Sequence, residues 1–191
     1  MNQDITSAVR PAIVMTILFA ILLGLLYPLG MTGIAQAIFP AQANGSLVTD
    51  ASGKVVGSAI VGQAFTSDRY FQTRPSAAGK GYDGLASSGS NYGPTAKPLA
   101  DRVTADVAKR HAEGVAGAMP ADLVTASGSG LDPDLSPAAA QAQAPRIARV
   151  RLLPLARVRA LIAGQTEDSL FGDPHVNALT LNRALDAASR R

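Results

Sequence analysis

The chain has no cysteine, no tryptophan and two histidines, His111 and His175. Without cysteine there are no disulfides, thiolate metal ligands or cysteine nucleophile. Two histidines far apart in sequence provide no zinc-binding spacing. Aromatic residues make up 5% of the chain, and no Lys/Arg run is interleaved with them, which argues against a nucleic-acid surface. No G-x-S-x-G element occurs, neither histidine has a Ser or Asp pattern beside it, and the carboxylates are scattered. Together these absences point to an accessory protein rather than an enzyme, with no tightly bound cofactor.

The largest gap is in charge. Between Arg10 and Asp50 no side chain is charged. The run from Ile13 to Leu29, extended through Met31, reaches the ~20 residues that cross a hydrocarbon layer of ~30 Å. In lipid such a segment must be helical, because a helix satisfies its own backbone groups. Gly24 and Pro28 are tolerated in that setting, and Tyr27 suits the headgroup level. A cleaved signal peptide has a shorter apolar stretch, although Ala35-Gln36-Ala37 resembles a cut site. A buried core helix at the N-terminus without caps is a third reading. The length of the run favours a transmembrane helix over residues 11–31. Arg10 before the helix, with no basic residue after it until Lys54, places residues 1–10 in the cytoplasm and the remainder outside.

The 191 residues leave room after such an anchor for one domain with its own core. The net charge of +3 is uneven. From Asn44 to Pro145 eight Lys/Arg face nine Asp/Glu, whereas from Arg146 to Arg191 eight Arg face four Asp/Glu. Residues 32–45 read as an uncharged linker broken at Pro40 and Asn44-Gly45. Residues 46–49 and 55–61 read as two short strands about a polar turn, with a bulge or bend at Gly57. Residues 62–95 form a long irregular segment, and its aromatics indicate an ordered loop. Thr95 is placed to cap a helix carrying Leu99, Val103 and Val107, which ends before Gly114. Ser136-Pro137 marks a second helix start, with Ala140, Ala144, Ile147 and Val150 on one stripe and Pro145 bending rather than ending it. Pro154 opens a short helix stopped at Gly164, and a last helix covers about 176–188. The expected fold is α+β: one membrane helix, then a single extracytoplasmic domain, 46–191, with a short hairpin or sheet and several helices.

Several residues are candidates for function, each beside a plainer role. Ser127-Gly128-Ser129-Gly130 can cradle an anion through its backbone N–H groups, or simply cap the next helix. The arginines from Arg146 to Arg159 can form a subunit-docking or lipid-facing surface, or a solvated helix face. Arg74 can bind a carboxylate with both prongs, or tie its loop to its own domain. Ala20 and Gly24 form a small-xxx-small pair that admits a neighbouring helix. These two, with Phe65, Tyr70, Phe71 and Arg74 of the aromatic loop, are the expected partner contacts.

The order of the loops is specific. Asn44-Gly-Ser-Leu47, Ile60-Val-Gly-Gln63-x-Phe65 and Tyr70-Phe71-x-x-Arg74-Pro-Ser76 resemble the C subunit of the Kdp potassium-transporting ATPase. Asp122-Leu-Val-Thr-Ala-Ser127, Gly130-Leu-Asp132, Pro145-Arg-Ile-Ala-Arg149 and Val176-Asn177…Leu181-Asn182 extend the resemblance over nearly the whole chain. Tyr82-Asp83, Ser88 and Ala178 depart from the usual family residues. The resemblance implies a subunit of the bacterial inner membrane. It would lie beside a channel-like potassium-binding subunit, a P-type ATP-hydrolysing subunit and a small single-helix subunit. It also implies a role as a catalytic chaperone that raises the ATP affinity of the complex, with Gln143 matching a glutamine assigned to nucleotide contact. ATP would then be met only through the complex, and potassium is its transported ion. The orientation read from Arg10 conflicts with that contact, because ATP is cytoplasmic. A free-standing, membrane-anchored binding or sensor domain is the alternative, and a secreted enzyme led by a signal peptide a third.

Overall fold

A computed structural model describes residues 2–189. Arg190 and Arg191, part of the C-terminal positive excess, lie outside the described residues. The chain divides into two compact units between Leu47 and Val48.

The first unit is almost all helix: α1 (Asn2–Ile21), a wide π turn (Leu22–Leu26), α2 (Tyr27–Ile38) and a short α3 (Pro40–Ala43). Pro28 explains the wide turn. It has no N–H, and its ring would collide with the carbonyl four residues back, that of Gly24. The Tyr27 N–H bonds instead to the carbonyl of Leu22, five residues back, which lets the helix pass the proline unbroken. One helix, Thr6–Ile38, is long and apolar enough to cross a membrane, and it is the only such helix among the described residues. It runs well past Met31, so most of the expected linker is helical, residues 32–38 in this helix and 40–43 in α3. No Gly or Pro interrupts residues 34–38; the break comes at Phe39, ahead of Pro40.

The second unit is α+β. Strands β1 (Leu47–Thr49, beginning at the boundary) and β2 (Val55–Ser58) form a two-stranded sheet, and α4 spans Lys97–Ala112. After β3 (Asp134–Leu135) come α5 (Pro137–Arg151), α6 (Leu155–Gly164), β4 (Thr166–Glu167), β5 (His175–Asn177) and α7 (Ala178–Ser189). The second sheet has the order β3-β5-β4, all antiparallel, with Leu135 opposite Val176 and Thr166 also opposite Val176.

Local chemistry accounts for most boundaries. The Ser136 hydroxyl accepts from the Ala139 N–H, so Ser136-Pro137 starts α5 as expected. The helix continues through Pro145. Thr95 does not cap α4: the N-cap is Ala96, without a side-chain bond, and Pro98 in the first turn needs no partner for its nitrogen. Gly114, at φ +95°, turns the chain away after α4. Gly57 lies within β2; a Cβ there would lie 2.7 Å from Gln63 Oε1 and 2.9 Å from Leu179 Cδ2, so the glycine permits close packing. The last helix begins two residues later than expected because 175–177 is the central strand β5.

α5 organises the core. Ala140, Ala144 and Ile147 are fully buried with Phe71, Val158, Ile162, Val176, Leu181 and Leu185. Ala139, on the adjoining face, joins Leu123, Leu135 and Ala178 in a second cluster. The alanines leave room for a loop rather than a helix to lie on this face, and the 62–95 segment occupies it through Phe71.

That segment also approaches the loop before β3. The Gly62 N–H bonds to the Leu131 carbonyl at 2.7 Å, and a Cβ on Gly62 would lie 2.4 Å from the Asp132 carbonyl oxygen. Gly62→Ala is therefore expected to cost about 2–4 kcal/mol. Gly128→Ala, with nothing within 4 Å, serves as the control and should move stability by less than about 1 kcal/mol. Urea unfolding of the full chain in detergent measures both; equal midpoints would contradict the close approach at Gly62.

Candidate functional site

Several polar side chains converge on one stretch, 68–74, which turns at residues 68–70 and then runs on outside either sheet. Every backbone carbonyl in it accepts a hydrogen bond from a side chain. Arg146, on α5, donates to the carbonyls of Asp68 and Tyr70, and Arg151 to that of Arg69 at 2.8 Å. Asn182, on α7, donates to Phe71 O at 3.0 Å, and Gln143 donates to Gln72 O at 3.0 Å. Arg110, on α4, donates to Thr73 O at 3.2 Å, and the Tyr82 hydroxyl donates to Arg74 O.

Two of these contacts are reciprocal. The Phe71 N–H donates to Asn182 Oδ1 and the Gln72 N–H to Gln143 Oε1, each at 2.8 Å. In an extended chain, successive residues present their N–H and C=O to opposite sides. A carboxamide carries one acceptor and a donor group, so each can stand in for an opposing strand residue. Residues 71 and 72 are thus clasped from one side by α7 and from the other by α5. Phe71, between the clasps, is fully buried. Its ring belongs to this domain's own core and has no surface to offer a partner.

Gln143 is 1% exposed, and its Oε1 also accepts from Arg146 Nη2 at 2.8 Å. Arg146 is 2% exposed. Burial lowers its pKa from the ordinary value, while Glu113 and Asp68 pull the other way. Arg151 bridges Asp186 at 2.8 Å and lies over the Tyr70 ring at 4.7 Å. The reading of the α5 arginines as a docking or solvated face is therefore corrected for these two: their guanidiniums are engaged inside the domain, and of the three on α5 only Arg149 is exposed. Arg110 is also buried. It meets Glu113 at 3.1 Å, Leu123 O at 3.3 Å and the Gln72 carboxamide oxygen. Arg110 is not among the residues singled out in the sequence, although it follows Val107 by three positions and so lies on the apolar stripe of α4.

The remaining candidates fall elsewhere. Arg74 ties its loop to its own domain through Asp132 at 2.9 Å and Thr125 at 3.4 Å. Phe65 and Tyr70 stack at 5.8 Å along a groove that also contains Asp50, Leu179, Arg183 and Asp186. In the Ser127–Gly130 loop, the Ser127 hydroxyl takes the Gly130 N–H at 2.9 Å and the Ser129 hydroxyl takes the Leu131 N–H at 3.1 Å. Gly130, at φ +67°, approaches so closely that a Cβ would lie 2.6 Å from the Ala78 nitrogen. The loop closes on itself and on residues 78 and 88, so neither of these two N–H groups is available to an anion. Ala20 and Gly24 lie on the exposed apolar helix, with nothing within 4 Å of Gly24.

An open cleft of about 660 Å³ is lined by Arg74, Asp122, Asp132, Asp134, Asp173 and His175. Its carboxylates have internal duties: Asp122 holds the Ser136 N–H at 2.7 Å, and Asp134 accepts from Asn177 at 3.2 Å. Burial raises the Asp134 pKa above 3.8, with Asp132 and Glu167 adding to the effect and His175 and Asn177 opposing it.

An α+β domain carried in the same chain as a single apolar N-terminal helix is the architecture of a single-pass membrane protein with a C-terminal domain. Comparison with known proteins is decisive as to which. The chain matches the family described as "KdpC: K+-transporting ATPase, c chain" over residues 9–187. It is 58% identical over 184 residues to the potassium-transporting ATPase KdpC subunit of Caulobacter vibrioides, covering 95% of this chain and 93% of the relative. It is 57% identical to that of Caulobacter sp. strain K31 and 53% identical to that of Allorhizobium ampelinum, again over 94–97% of each relative and 95% of this chain. The chain belongs to the KdpC family.

Replacing Gln143 with alanine would orphan two buried backbone groups and one prong of Arg146. Each buried group left unpaired costs about 1–3 kcal/mol, so Gln143→Ala should lower stability by roughly 2–5 kcal/mol. Asn182→Ala should cost a similar amount, and the double variant less than the sum, because both release one strand. Additive losses in urea unfolding would argue that the clasps act separately.

Asp134 gives a pH test. Its folded pKa is raised, so the folded chain holds that proton more tightly than the unfolded chain. The resulting penalty is absent below the ordinary value of 3.8, grows as pH rises through the raised folded value, and is constant above it. Asp134→Asn should therefore raise Tm at pH 7, with the difference shrinking as pH falls toward 3.8. A difference independent of pH would show that Asp134 is not burdened by its burial.

Proposed function

We propose that this chain is a non-catalytic accessory subunit of an ATP-driven potassium-uptake complex in the bacterial inner membrane. Its N-terminus faces the cytoplasm and its domain lies outside. It assembles with a channel-like potassium-binding subunit, a P-type ATP-hydrolysing subunit and a small single-helix subunit, with lipid around its anchor. The observation that carries the reading is 58% identity, over nearly the full length, to a protein named as the KdpC subunit of a potassium-transporting ATPase. Arg10 on one flank of the apolar helix and no basic residue until Lys54 on the other support the orientation.

Within that reading the domain acts by assembly rather than by chemistry. A nucleotide contact through Gln143 would have to displace the Gln72 backbone and Arg146 from a side chain that is 1% exposed. It would also have to reach a cytoplasmic ligand from the far side of a ~30 Å hydrocarbon layer. The family's chaperone effect on ATP affinity, if exerted by this chain, would then be transmitted through the assembled complex. Ala20 and Gly24, on an unobstructed face of the apolar helix, are where a second helix can come closest.

Ser52 sits at the exposed tip of the β1–β2 hairpin. In intact cells with the outer barrier opened, Ser52→Cys is expected to react with an impermeant thiol reagent. Labelling only after inner-membrane lysis would reverse the orientation. In assembled complex, Gln143→Ala should leave the ATP concentration for half-maximal turnover unchanged. A several-fold rise at intact stoichiometry would restore the nucleotide contact.

A further inference from the structure

The hairpin joining β4 to β5 ends in a loop, residues 168–174, whose two large apolar residues face solvent. Leu170 is 88% exposed and Phe171 97%, and neither belongs to a core cluster. An isolated exposed apolar residue is ordinary, but a leucine and a phenylalanine side by side at a hairpin tip make the kind of anchor that fills a pocket on a partner.

The surroundings say what kind of partner. The same loop, through Ser169 and Asp173, walls the 660 Å³ cleft, and His175 of β5 and Asp122, Asp132 and Asp134 line it too. Four aspartates there face one arginine, Arg74, which is already paired with Asp132. This is a strongly acidic patch on a chain of net charge +3. No Lys or Arg occurs between Arg159 and Arg183, and Glu167 and Asp168 extend the acidity along the hairpin. An anionic lipid surface would repel such a tip, whereas a basic protein surface would attract and orient it.

We infer that Leu170 and Phe171 are the anchor by which this domain docks on another protein, filling an apolar pocket bordered by Lys or Arg. The identity of the carrier rests on the function proposed above: it is a larger subunit of the same transport complex. The acidic cleft sets the register of docking and the two apolar side chains provide the burial.

The test uses the full chain co-expressed with the other subunits of the complex. Leu170→Ser with Phe171→Ser leaves both core clusters intact, so its thermal unfolding should match wild type. Its recovery with the complex should fall about tenfold or more, as for loss of a binding hot spot. Asp168→Lys with Asp173→Lys should weaken recovery several-fold at low salt, with a smaller deficit at high salt. A photo-crosslinking residue at position 171 should label a protein subunit. Undiminished recovery of the double-serine variant would overturn the inference while leaving the subunit assignment in place. So would crosslinks to lipid accompanied by loss of flotation with phosphatidylglycerol vesicles. Failure of the wild-type chain to associate with any subunit would overturn both.

Discussion

The second unit depends on how it holds one strand without a sheet. Residues 68–74 turn at 68–70 and run on outside either sheet, and their carbonyls are met by arginine, asparagine, glutamine and tyrosine side chains rather than by a neighbouring backbone. Buried backbone groups must find partners, and here they are supplied from α4, α5 and α7. Because each of those helices contributes to the same stretch, the segment fixes their mutual placement. Phe71 then enters the core as the wedge between the two amide clasps.

This arrangement changes the meaning of residues that look functional. A buried arginine beside a buried glutamine invites a ligand reading, yet Arg146 and Gln143 bond to each other and to the chain they hold. Buried guanidiniums are tolerable because most of their donors are matched to carbonyls and, for Arg110, to Glu113 as well, the Nε of Arg146 being left without a partner. The glycine-serine loop repeats the logic, since its hydroxyls engage its own amides. What remains unengaged lies at the periphery: the apolar helix, the aromatic groove and the β4–β5 tip.

The apolar helix obeys a separate constraint. Its large apolar side chains from Val9 to Ile38 are exposed, and its backbone bonding continues past Pro28, where the turn widens to five-residue bonds. A soluble helix so interrupted would usually bend or stop; here the requirement that no backbone group be left open has a local solution.

The sequence by itself determined the elements whose signals are local. The charge gap after Arg10 gave the apolar helix, Ser136-Pro137 gave the start of α5, the 140–144–147 stripe gave its buried face, and the order of the loop motifs gave the family. The end of the apolar helix at Ile38, the cap of α4 at Ala96 and the strands β3, β4 and β5 came only from the tertiary structure. Strands of two or three residues are too short for alternation to register, and β5 exists because β3 and β4 flank it. The clasps were equally hidden: Gln72 and Gln143 are 71 positions apart and Phe71 and Asn182 are 111 apart. No spacing rule links such residues, because their pairing depends on where α5 and α7 pack. Whether an arginine meets solvent, a partner or its own backbone is decided by the packing of the whole domain, and only the folded chain carries that information.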